Sequence, residues 1–104
     1  MNNKSFIAIY VSVVVLPENK GKFEINLKHV IDVAKDVKGC LKYQWLINPN
    51  DKSNYIIYGE FDTQKNFALY RKSQVVQMIG KQLLPLLKDK PRFKHFHAET
   101  FEEM

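Results

Sequence analysis

Apolar residues recur along this chain at spacings that change from segment to segment, and each change marks an element. From Phe6 to Val15 nearly every position is apolar and many are β-branched, which predicts a strand buried on both faces. Ile7, Ile9, Val11, Val13 and Val15 fill one side of it, and Phe6, Ala8, Tyr10, Ser12 and Val14 the other. Pro17, Glu18 and Asn19 end the strand and open a helix, with a proline and an acid suited to a helix start. Phe23, Leu27, Val30, Ile31, Ala34 and Val37 then follow at helical spacing and form one stripe. Lys28, Asp32 and Lys35 fall off that stripe and are expected to face water. Gly39 is read as the left-handed residue that stops the helix.

Cys40 to Ile47 alternates, with Leu41, Tyr43, Trp45 and Ile47 on one face of a second strand. The run Asn48 to Asn54 is dense in turn formers, so a hairpin leads to a third strand, Tyr55–Phe61. Asp62 or Thr63 caps a second helix carrying Phe67 and Tyr70. A further stripe of Val76, Ile79, Leu83, Leu86 and Leu87 points about 100° or more away from the Phe67/Tyr70 face at helical spacing. One straight helix cannot aim both at the same core, which predicts a break near Ser73–Gln74 and two consecutive helices. Pro85 kinks or restarts the last turn, and Arg92 to Phe101 is the final strand. The order β-α-β-β-α-β predicts an α+β fold of the ferredoxin-like kind, with an antiparallel sheet and helices on one face. The first strand is greasy on both sides, so a second copy of the chain is expected to cover the other face.

With 104 residues the chain has room for one domain, taken as 1–104, and one limited core. Its single cysteine, Cys40, excludes an internal disulfide and suits a reducing compartment. The N-terminal apolar run is too short to span a bilayer, which needs about 20 residues. Lys4 ahead of it raises a signal peptide, but Leu16, Pro17 and Glu18 provide no small-residue cleavage site. A cytoplasmic protein with an N-terminal strand is expected. The net charge of +5 invites a nucleic-acid reading, yet 14 of the 16 basic residues are scattered lysines. Only Arg71 and Arg92 offer a guanidinium, and no nucleic-acid or membrane partner is expected.

Little conventional chemistry can be assembled. Cys40 follows a helix end and has no partner motif, so nothing there lowers its pKa. His95, His97 and Glu99 alternate and could share a face, an arrangement able to hold a metal, but such histidines on an edge strand read as polar surface. His29 sits on the polar side of the first helix. No Ser-His-Asp set, phosphate loop or carboxylate pair appears. An RNA-recognition domain has the same element order, but Asn54 to Phe61 carries an acid where that signature needs a base.

From Phe6 to about His97 the chain resembles the antibiotic biosynthesis monooxygenase superfamily, whose members form dimeric α/β barrels. The marks are Val15-Leu16-Pro17 at the first strand's end and Gly39-Cys40-x-x-Tyr43 after the first helix. Tyr58-Gly59-Glu60-Phe61 follows, running into Asp62-Thr63-x-x-Asn66-Phe67-x-x-Tyr70. The resemblance implies a pocket between the sheet and the second helical region, lined here by Val13, Phe61, Phe67, Ile79 and Leu83, with Tyr70 as the catalytic polar group. It implies cofactor-independent oxidation of a quinol or polycyclic phenol-like substrate by O2 in a homodimer. The alternatives are a non-catalytic dimer that binds a small apolar ligand, and haem binding or degradation. Haem-degrading relatives carry an asparagine, a tryptophan and a histidine where this chain has Val13, Tyr70 and Gly80, so the haem reading lacks its metal ligand.

Overall fold

The computed structural model describes residues 4–103; positions 1–3 and 104 of the span read as one domain lie outside the described residues. The elements are β1 (Lys4–Val14), α1 (Lys20–Ala34), β2 (Cys40–Asn48), β3 (Asp51–Phe61), α2 (Gln64–Arg71), α3 (Gln74–Met78) and β4 (Arg92–Thr100). A 3-10 turn, Pro17–Asn19, leads into α1. A π-helical turn, Ile79–Leu83, and a second 3-10 turn, Leu84–Leu86, follow α3. The four strands form one antiparallel sheet in the order β2-β3-β1-β4, which is the ferredoxin-like α+β arrangement. Among the described residues no helix is long and apolar enough to cross a membrane.

Strand register decides which side chains meet the helices. Ile9 lies opposite Gly59 on β3 and His95 on β4, so odd-numbered residues of all three strands share a face. That face packs on the buried stripe of α1, formed by Phe23, Leu27, Val30, Ile31 and Ala34. Val15, Phe23, Leu27, Val30, Tyr55 and Phe61 at its centre are fully excluded from water. The even face is apolar too but stays open: Phe6, Tyr10, Val14 and Ile56 are half-buried. Leu46 and Phe96 on that side are 48% and 47% exposed.

Two boundaries differ by several residues from the pattern-based reading. The helix stops at Ala34 rather than running on to Gly39, so Val37 packs on the core from a turn. Gly39 does have φ +83°, but its task lies elsewhere: an added Cβ would stand 2.4 Å from Asp62 Oδ1 and 2.6 Å from Asn66 Cβ. The start of β2 is thereby held against the start of α2, and the Asp62 N–H donates to the Gly39 carbonyl at 2.9 Å. The hairpin between β2 and β3 turns at Pro49 and Asn50, and β3 begins at Asp51 rather than Tyr55, because the polar residues 51–54 continue the strand. The break at Ser73 stands where the diverging stripes required it, with the Ser73 N–H donating to the Tyr70 carbonyl at 2.9 Å.

Candidate active site

Between the odd face of the sheet and the α3–π-turn segment lies a cavity of about 620 Å³. Its walls are mainly apolar: Ile9, Val11 and Val13 from β1, Phe67 from α2, Val76 from α3, Ile79 and Leu83 from the π turn, and Phe93 from β4. A π turn inserts one extra residue per helical circuit and splays the side chains around it, which is a common device at functional sites. Here it presents Ile79, Gly80 and Leu83 to the cavity.

The α2 helix is anchored at its first turn. The Thr63 hydroxyl accepts from the Asn66 N–H at 3.0 Å, and the Asn66 amide donates to Asp62 Oδ1 at 2.9 Å. Phe67 and Tyr70, one helical turn apart, both face the sheet and line the cavity. Of the residues expected at this site, Val13, Phe67, Tyr70, Ile79 and Leu83 come together on the wall. Phe61 does not. It stands behind the wall, fully buried, with its ring 4.6 Å from that of Tyr70 and 5.8 Å from that of Phe67. As the last residue of β3 it sits beneath α2 and supports both rings without reaching the space.

The Tyr70 hydroxyl lies 2.8 Å from that of Tyr43 on β2. Tyr43 reaches it because Gly59 opposite has no side chain; a Cβ there would come within 2.9 Å of the Tyr43 ring. Burial drives the pKa of both phenols up, Tyr70 to about 12 and Tyr43 further. The two hydroxyls share one hydrogen bond, in which either can be the donor. With Tyr43 as the donor, the proton of Tyr70 is free for another acceptor. Tyr70 is a hydrogen-bond donor at neutral pH, not a base.

Two polar residues at the cavity were not singled out from the sequence as part of it. His95, opposite Ile9, packs edge-on against Phe67 with ring centroids 5.0 Å apart. Arg71 places its guanidinium carbon 5.9 Å from the centroid of the same ring. Partial burial, then the Arg71 charge, hold the His95 imidazole below its usual pKa. Parity along β4 from Phe93 carries a signal for His95, but only sheet pairing shows that this parity is the cavity side. His97 and His29 are exposed, and among the described residues no three His, Cys, Asp or Glu side chains gather to hold a metal. Trp45 packs on Tyr55, with ring centroids 5.6 Å apart. Burial pushes the Cys40 thiol up, and its S–H points to the Lys42 carbonyl at 3.5 Å, as in an inert cysteine.

The family model for antibiotic biosynthesis monooxygenase matches residues 6–99. The chain belongs to that family. Among solved structures, a protein from Caulobacter crescentus provisionally named an antibiotic biosynthesis monooxygenase superposes with a TM-score of 0.83 at 17% identity, covering 91% of each chain. A similarly named protein from Bordetella bronchiseptica gives 0.77 at 18%, over 91% of this chain and 98% of that one. A conserved protein from Methanosarcina mazei gives 0.82 at 16%, over 88% and 90%. At these identities the antibiotic biosynthesis monooxygenase fold is what the likeness establishes. No curated protein sequence matches the chain.

Proposed function

We propose that this family member is a cofactor-independent monooxygenase that oxidises a quinol or polycyclic phenol-like substrate with O2 inside the cavity. The observation that carries the reading is an apolar chamber of about 620 Å³ with Tyr70, a phenol held protonated at neutral pH, among its lining residues. A hydroquinone ring fits such a chamber and brings its own electrons. One oxygen atom of O2 enters the ring, the other leaves as water, and the ring gives up two hydrogens, ending as a hydroxyquinone. No outside reductant is needed. The chamber excludes water from the reactive intermediates, and Tyr70 donates to a substrate oxygen as charge develops there.

The test is oxygen uptake against a panel of quinols, parent protein beside Tyr70→Phe. A hydrogen bond formed mainly in the transition state predicts a loss of about 10- to 100-fold in kcat/KM, as about 1.4–2.8 kcal/mol implies. Equal rates would remove Tyr70 from the chemistry.

One observation favours a second reading, a non-catalytic protein that binds a small apolar ligand: among the described residues no carboxylate lines the cavity, and Tyr70 cannot serve as a base. Ligands that raise the melting temperature without consuming oxygen would select it. Haem as the ligand requires a Soret shift on addition. In either reading the protein works in the cytoplasm as a homodimer, the open even faces of two sheets closing on each other. Phe96→Glu would then yield a monomer by sedimentation; an unchanged parent monomer would end this part of the proposal.

A further inference from the structure

The cavity is apolar in its depth and cationic at one side. Arg71 and His95 come from different elements, the last residue of α2 and the middle of β4, yet both line the cavity and both pack on Phe67. Among the described residues no acidic side chain lines the cavity, and none there pairs with the guanidinium. Its position over the Phe67 ring leaves its N–H fork available to a ligand seated among the apolar residues. We propose that the site takes an aromatic ligand bearing a carboxylate, with the ring in the apolar chamber and the carboxylate on Arg71 and His95. The inference rests on the cavity being the ligand site, as in the function proposed above.

The arrangement has a physical logic. A ligand with an apolar body alone is free to turn within an apolar chamber. One charged contact on a single side fixes which ring carbon faces Tyr70 and which faces the open end. Partial burial, then the Arg71 charge, favours the neutral imidazole of His95. The pair therefore presents a fork of donors plus a single imidazole N–H rather than two full charges. A carboxylate accepts from both without requiring His95 to take up a proton.

The test is calorimetric binding of two probes of nearly equal shape, 1-hydroxy-2-naphthoate and its methyl ester, to the parent, to Arg71→Met and to Arg92→Met. Arg71 is exposed and makes no contact needed for the core, so Arg71→Met retains the fold, which circular dichroism checks. In the parent the acid binds about 10-fold more tightly than the ester, the ratio that about 1.4 kcal/mol of charge-assisted hydrogen bonding yields. Arg71→Met brings the two affinities together, while Arg92→Met, which removes a guanidinium outside the cavity, leaves the ratio intact. Equal binding of acid and ester in the parent overturns the carboxylate inference and leaves the apolar site standing. Preference for the acid that persists in Arg71→Met overturns it as well. Binding of neither probe removes the ligand site itself, and both readings fall together.

Discussion

The hydroxyls of Tyr43 and Tyr70 meet at 2.8 Å in a buried contact that joins the edge strand β2 to helix α2. Neither residue is within reach of the other by local sequence: 27 positions separate them. One of the two hydroxyl protons fills the contact and the other stays available, so the two phenols divide one polar task beside an apolar cavity.

Alkaline titration reports on that contact. An unfolded tyrosine ionises near pH 10, whereas Tyr70 is held at about 12 and Tyr43 higher. Between those values the folded chain keeps protons that the unfolded chain has lost. The stability tied to these protons is complete below about pH 10 and drains away as pH rises toward 12, at about 1.4 kcal/mol per pH unit for each group. Phenolate absorbance from the pair should therefore appear together with loss of structure. In the doubly substituted Tyr43→Phe/Tyr70→Phe protein the fall of stability over the same interval should be shallower. A parent-minus-variant spectrum showing phenolate near pH 10 with the fold intact would contradict the buried contact.

Phe61 tests the difference between lining a site and supporting it. It is fully buried and does not touch the cavity, but its ring carries those of Tyr70 and Phe67. Phe61→Ala should cost about 3–5 kcal/mol, read as a lowered urea midpoint. Phe61→Leu should cost about 1–2 kcal/mol and still weaken binding of a cavity ligand, because Tyr70 loses the surface that sets its angle. Unchanged affinity in a stable Phe61→Leu protein would show that the support is not needed.

Gly39 and Gly21 predict opposite signs for the same substitution. At Gly39 a side chain meets φ +83° and a contact of 2.4 Å to Asp62 Oδ1. Gly39→Ala should lose about 2–4 kcal/mol, from the left-handed backbone and the overlap together. Gly21 lies in α1 with open space around its Cα, so Gly21→Ala should gain about 0.5–1 kcal/mol. Thermal melts of the two variants give the comparison directly; equal shifts would refute the role assigned to Gly39.

Periodicity by itself determined the element order, the α1 stripe, the two-sided apolar character of β1 and the break at Ser73. These follow from residues a few positions apart, where side-chain spacing maps directly onto a face. The expectation of a cavity wall at Val13, Phe67, Tyr70, Ile79 and Leu83 came from the family resemblance instead, not from periodicity. What it misjudged or missed lay in contacts between distant segments. Phe61 is buried rather than lining because α2 begins immediately after it and folds back over its ring. Tyr43 became a partner of Tyr70 only through Gly59, a neighbour across the sheet. Arg71 and His95 share a wall because β4 pairs with β1 in a register that sets His95 opposite Ile9. Register and packing are properties of the assembled sheet. Local sequence carries the alternation along each strand, but only the folded chain decides which parity looks inward and which rings meet there.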